Sequence, residues 1–197
     1  MRKTSQEFRR ENVRKLFDKI LSNEKIILSP LSINIFESLD DDFTNVDLSF
    51  AEKTLDVENV ITLKQTKAKG FIDGLFLSLH EKYSKQYNSL EKIKLVDIMV
   101  NPIMKASTVR GSDAKTSVIL RVEVKTHGIS EFEHESRSMI YSSFVSSLAA
   151  FQFYINCQKT FEKIKLIVTD AESRNRGDIV QSCLSDLSIL TSVNTYG

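Results

Sequence analysis

The sequence predicts an α+β fold built from two strand–strand–strand–helix units. Three observations predict it. Apolar residues alternate with polar ones in six stretches between Ile26 and Glu135, the two-residue period of a half-buried strand. The period lengthens to that of a helix in two places, after Gly70 and after Met139, where apolar residues recur three and four apart. The order then repeats at a spacing of roughly 70 residues, the mark of an internal duplication.

The totals frame this reading. The chain has 197 residues, 41% hydrophobic and 27% charged, with a net charge of +1. One domain with an appendage, or two small ones, is the expectation for that length. The near-zero charge and the lack of a stacking-aromatic motif argue against nucleic acid. No apolar run reaches the roughly 18–20 residues of a membrane span. The basic start, Met1 to Arg10, lacks the apolar core of a secretory signal. Cys157 and Cys183 are the two cysteines and have no CxxC spacing, so neither a metal site nor a disulfide framework is expected. A cytoplasmic protein without a cofactor is the expectation, with its two units packed on each other or across a dimer.

Residues 1–24 read as a helical lead-in. Phe8, Val13, Leu16, Phe17 and Ile20 share one side of a helix from Glu7 to Leu21, and charged residues fill the other. Unit one spans 25–90. Its strands carry Leu31, Ile33 and Ile35, then Val46, Leu48 and Phe50, then Ile61, Leu63 and Gln65. Asp40-Asp41-Asp42 lies between the first two and reads as a solvated turn rather than a cation site. Gly70-Phe-Ile-Asp-Gly-Leu-Phe opens a helix to about Gln86, with Ile72, Leu75, Phe76, Leu79 and Tyr83 as its apolar stripe. Asp73, in its first turn, suits the helix dipole.

Unit two spans 91–157. Its first strand is Leu95–Ile103, where Pro102 marks an end or an edge. The next is Ser117–Lys125, with Val118, Leu120, Val122 and Val124 on one face. A short polar strand, Ile129–Glu135, follows. A helix from Met139 to Asn156 then shows Ile140, Phe144, Leu148, Phe151 and Ile155 in one stripe. Ser143, Ser147, Ala150 and Tyr154 form a mostly small face beside it, which permits close approach to a sheet or a helix. Residues 158–197 read as a seventh strand (Ile164–Thr169), a loop (Ala171–Gly177), a short helix (about Asp178–Leu187) and a tail.

Catalytic signatures are weak. His80, His127 and His134 lack the spacing of a metal site. No nucleophile elbow, phosphate loop or dinucleotide fingerprint occurs. The serines between 136 and 147 have no base near them in sequence, which makes them poor candidate nucleophiles.

The order of motifs adds a resemblance. Leu95-Val-Asp-Ile-Met-Val, Gly111-Ser-Asp-Ala before a Val-rich strand, and Ser147-Leu-Ala-Ala-Phe before Asn156 resemble the C-terminal allosteric (dimerisation) domain of the alpha-isopropylmalate and citramalate synthases. Gly70-Phe-Ile-Asp-Gly-Leu-Phe resembles that family's Gly-Pro-Val-Asp-Ala-Leu-Phe. The resemblance covers about residues 25–157. It implies a homodimeric regulatory domain of branched-chain amino-acid biosynthesis, not itself an enzyme, that binds a branched-chain amino acid or similar small effector and serves a catalytic barrel, as part of or partner to an acyl-CoA:2-oxo acid acyltransferase. It places the effector between two helix N-termini, at Gly70, Phe71, Ile72 and Asp73 and at Ser136, Ser138 and Ser143, with Phe71, Ile72, Val100 and Ile140 around its aliphatic chain. Three departures stand out: Ile98 for a tyrosine, Ser136-Arg137-Ser138 for Gly-x-Gly, and Ser142-Ser143-Phe144 for Asp-Ile-Ile. Side chains then stand where an effector would approach backbone. The alternative is a structural dimerisation module that has lost its effector.

Overall fold

A computed structural model describes residues 5–38, 40, 42–55, 57–103, 115–125, 127–194 and 196. The Gly111–Ala114 motif and Asp41 lie outside the described residues. The elements run α1 (Ser5–Ile20), a 3-10 turn (Ser22–Glu24), β1 (Ile27–Ser38), β2 (Phe43–Thr54), β3 (Val57–Ala68) and α2 (Phe71–Tyr83). A second 3-10 turn (Asn88–Lys92) leads into β4 (Ile93–Ile103), β5 (Lys115–Val124), β6 (Gly128–Ser136), α3 (Met139–Ser173) and α4 (Gly177–Leu190). Each unit folds into a three-stranded antiparallel meander, β1-β2-β3 and β4-β5-β6, followed by its helix.

The units share one irregularity as well as their order. Leu31 is a bulge between Pro30, paired with Phe50, and Ser32, paired with Ser49. Val96 is a bulge between Leu95, paired with Val122, and Asp97, paired with Arg121. Both leave the ladder in the first strand of their unit, and both are about half exposed. Such an extra residue bends a strand and increases its twist. The bulge also corrects the expectation for β1. Leu31 does not share a face with Ile33 and Ile35, because the extra residue resets the alternation: Leu28 faces the core before it and Ile33 after it.

Small residues set the distance between helix and sheet in both units. A Cβ on Gly74 would lie 2.7 Å from Cγ2 of Val46, closer than packed carbons tolerate. In unit two, Ser146 Oγ donates to the carbonyl of Val118 at 3.3 Å. The same step in numbering separates Gly74 from Ser146 and Val46 from Val118. Ser142, Ser143, Ser146 and Ser147 are all fully buried. Their hydroxyls bond within the helix or to neighbours, as Ser143 does to Met139 O and Ser147 to Ser143 O, each at 2.8 Å. The small face expected at Ser143, Ser147, Ala150 and Tyr154 is therefore a real contact surface.

Helix α3 sits at the centre. Phe151 meets Phe76 of α2 at 5.1 Å between ring centroids, and Phe153 meets Phe17 of α1 at 5.6 Å and Phe132 of β6 at 5.9 Å. Its remaining face carries Gln152, Asn156, Lys159 and Lys163, spaced four, three and four apart. All four reach residues 24–28, at or just before the start of β1. Asn156 accepts from Ile26 N (2.8 Å) and donates to Ile26 O (2.9 Å). Gln152 accepts from Leu28 N at 2.8 Å. Lys159 donates to Glu24 O at 2.6 Å, and Lys163 pairs with the Glu24 carboxylate at 2.5 Å. Four helical residues rise about 6.0 Å and two strand residues about 6.6 Å, so a helical i, i+4 amide pair matches alternate residues of a strand edge.

Two expectations are overturned at the C-terminal side. No strand forms over Ile164–Thr169, and the second helix does not stop at Asn156: α3 runs on to Ser173. Ile164 and Ala171 are buried, Ile167 and Val168 are half-buried, and Lys165 and Leu166 are exposed. That is a helical stripe, and α4 packs along it. Packing against a neighbour outweighs the weak strand preference of β-branched residues. Phe8 and Ile140, expected on buried stripes, are exposed; around Phe8 it is Gln6 and Arg10 that turn to the β6 edge, and after Ile140 it is Ser142 and Ser143 that turn inward.

Replacing Asn156 by Leu strands the N–H and C=O of Ile26 and is expected to cost about 2–3 kcal/mol, read from urea unfolding with an unchanged m-value; Gln152→Ala, which frees one N–H, costs about 1 kcal/mol. Gly74→Ala forces its methyl against a stiff, buried valine and is expected to lower stability by about 1–3 kcal/mol, measured in the same way.

Candidate functional site

The sequence places a site at two helix N-termini, and the structure builds these two ends differently. At α3, Ser138 is the N-cap, and its Oγ accepts from Tyr141 N at 3.2 Å. Ser136 Oγ donates to Ser138 O at 2.8 Å, accepts from Ser138 N at 3.1 Å and lies 2.7 Å from Ser142 Oγ. Contrary to the expectation that these serines have no base near them, His134 Nδ1 is 3.3 Å from that same Ser142 hydroxyl, and Tyr141 stands edge-on to the His134 ring. The serines that replace the expected glycines thus close a hydroxyl network over the first turn. An N-cap side chain occupies the amide that an incoming carboxylate would use.

At α2, Gly70 occupies the N-cap position and supplies no side-chain cap. Added side-chain bulk at Gly70 would meet nothing within 4 Å. Asp73 lies half-buried in the first turn, and Phe71 and Ile72 pack partly buried against the main core. Val100, on β4, is paired with Val118 and is 40% exposed. Ile140 is 38% exposed on α3, and Ser143 is sealed inside, donating to Met139 O. Hydrogen bonds join Ser136, Ser138 and Ser142; among the described residues none joins that group to Gly70–Asp73.

A different feature was not foreseen. A groove of about 540 Å³ opens where β1 of unit one, α3 of unit two and α1 meet. Leu28, Pro30 and Leu148 form part of its apolar floor, and Arg14, Asp18 and Lys25 stand at its rim. Lys25 and Asp18 form an ion pair across it. The Gln152–Leu28 and Asn156–Ile26 bonds make its back wall. Volumes of a few hundred Å³ with an apolar floor and a few polar groups suit small ligands. The signal that could have revealed it was the spacing of Gln152 and Asn156 beside the apolar stripe of the helix. Two amides there had to bond something, and the something was strand backbone.

The titratable groups with displaced pKa values are structural. Burial pushes the Tyr154 hydroxyl up to about 12 and that of Tyr87 likewise to about 12. Burial also raises Tyr83, whose hydroxyl donates to Glu52 at 2.5 Å, and the Cys157 thiol. A raised thiol pKa opposes nucleophilic use of Cys157. The hydrogen bond from Lys163 holds Glu24 below its usual range. Among the described residues no group of three or more His, Cys, Asp or Glu side chains could hold a metal ion, and no helix is long and apolar enough to cross a membrane.

No protein-family model matches the chain, and no curated protein matches it.

The raised tyrosines fix a sign for alkaline behaviour. Their protonated form is the one the fold favours, so their contribution is complete below the unfolded value near 10 and is lost as pH climbs to about 12. Urea midpoints are expected to hold steady up to about pH 9.5 and to fall steeply between pH 10 and 12. Tyr154→Phe should flatten that fall.

Proposed function

We propose that this chain is a non-catalytic regulatory module, akin to the allosteric domain of the alpha-isopropylmalate and citramalate synthases, that binds a small amphipathic effector and self-associates. The observation that carries the reading is the duplicated strand–strand–strand–helix fold, whose two units share a first-strand bulge and a close-approach position on the following helix. That architecture agrees with the resemblance of the quoted motifs. The module acts on an acyl-transferring barrel, a domain or a subunit, by differential binding: an effector that favours one packing of the two units shifts whatever is attached to them.

The seam groove is the better seat for an amino-acid effector than the two helix N-termini. Its rim offers Arg14 to a carboxylate and Asp18, shared with Lys25, to an ammonium group, and its floor offers Leu28, Pro30 and Leu148 to a branched aliphatic chain. It lies between elements of both units, so its occupant senses how they pack. The self-capped start of α3 favours a second reading, a dimerisation module without an effector, because Ser138 already holds the Tyr141 amide.

Calorimetric titration with leucine, isoleucine and valine separates the two. The regulatory reading expects heat from at least one at millimolar concentration, abolished by Arg14→Glu. No heat from any of the three leaves the dimerisation module as the surviving reading.

A further inference from the structure

We infer that the outer edge of β3 pairs with the same edge of a second copy of this chain, joining two three-stranded sheets into one six-stranded sheet about a two-fold axis at Ile61. The inference rests on the self-association in the reading above and is independent of any effector.

An unpaired strand edge is a row of free N–H and C=O groups, and proteins blunt such edges. Three of the four edges here are blunted. The start of β1 is bonded by Gln152 and Asn156, and Pro30 and the Leu31 bulge follow. On β6, Gln6 donates to His127 O at 2.7 Å and Arg10 donates to Glu131 O. On β4, the Val96 bulge and Pro102 interrupt the edge. The edge of β3 has no such device from Val57 to Gln65. Its ladder to β2 is regular over that run, and its irregularity, opposite Asn45, begins only after Gln65. Among the described residues no side chain bonds to the backbone of 57–65; the nearest such bond is Asn45 to Lys67 N. Val57 and Val60 are 58% and 67% exposed, which is unusual cover for a strand end that faces water.

The charged residues of this edge are complementary to each other. Residues opposite each other in an antiparallel pair must lie on the same face, so a two-fold axis perpendicular to the sheet must pass through a residue. The regular run is bounded by the hairpin before Val57 and the irregularity after Gln65, and Ile61 is its midpoint. Pairing the whole run about Ile61 sets Glu58 opposite Lys64 of the second copy, twice per dimer. It also sets Val60 opposite Thr62 and Ile61 opposite itself. Opposite charges in facing positions stabilise a strand pair and like charges destabilise it. Within one copy, Lys64 makes an exposed contact with Asp47, 3.5 Å away, which is worth little. Ile61 and Leu63 are partly buried at the rim of the core, and pairing would finish covering them. One strand pair is a small interface by the standards of stable complexes, so the dimer should be reversible and concentration-dependent.

The test is sedimentation velocity of the full chain from micromolar to millimolar concentration, with far-UV circular dichroism to show that each variant is folded. The wild-type chain is expected to dimerise. Glu58→Lys, which sets Lys against Lys, should weaken the dimer about tenfold or more. Adding Lys64→Glu to it reverses both members of the pair and should restore association, which a folding defect would not do. Ile61→Cys should form an inter-chain disulfide on mild oxidation, because facing residues in an antiparallel pair lie about 4.5–5.5 Å apart between Cα atoms; both native cysteines are buried. A chain that stays monomeric throughout overturns the inference together with the self-association behind it. A dimer indifferent to Glu58→Lys, or no cross-link through Ile61→Cys, overturns the β3 edge alone and leaves self-association through another surface.

Discussion

The structure depends on the bond between a helix and the edge of a strand. Asn156 offers one acceptor and one donor from its side chain, and Ile26 meets both with its backbone. Asn156 is almost fully buried. A buried amide is costly unless satisfied, and so is a buried backbone group; here each satisfies the other. Gln152, Lys159 and Lys163 extend the same stripe to Leu28 and Glu24. The consequence is topological. The helix of the second unit holds the start of the first, so the two meanders cannot separate without exposing these groups.

Similar logic holds on another side of α3. Gln158 accepts from both the amide and the hydroxyl of Ser89, at 2.9 and 2.7 Å, just before β4. One helix therefore fixes the segment that leads into each sheet. The lead-in helix α1 closes the β6 edge through Gln6 and Arg10, with the Arg10 guanidinium 4.8 Å from the Phe132 ring centroid. Helix α4 is tied to α1 by Lys19 and Asp186 at 2.6 Å. The appended helices are thus part of the scaffold that sets the shape of the seam groove, since Arg14, Phe17 and Asp18 of α1 line it.

Much of this was legible because local pattern and tertiary role agree. Val118, Leu120, Val122 and Val124 alternate in sequence and are all buried. The α2 stripe of Leu75, Phe76, Leu79 and Tyr83 is likewise buried. What misled was local pattern in conflict with context. Ile164 to Thr169 is rich in β-branched residues, yet Thr160, Ile164, Ile167 and Ala171 fall on one side of a helix, and α4 covers that side. Leu31 kept the alternation on paper, but a bulge removed it from the face. No residue type announces a bulge, which reflects how the strand must bend over its partners. At the candidate site, the serines after Glu135 were visible as departures from a glycine pattern. Their meaning, a self-capped helix end, needed the distances among Ser136, Ser138 and Ser142.

By itself, the sequence determined the features that nearest neighbours along the chain dictate: six strands, the helices after Gly70 and Ser138, and the repeat that relates them. Periodicity encodes which face of an element is apolar, and that information is local. The tertiary structure alone decided which edges are closed, where the groove opens and how far α3 runs. Those outcomes depend on hydrogen-bond partners more than a hundred residues apart, such as Ile26 and Asn156, and on whether a second helix arrives to cover a stripe. Chain order does not encode such distances; only packing in space does.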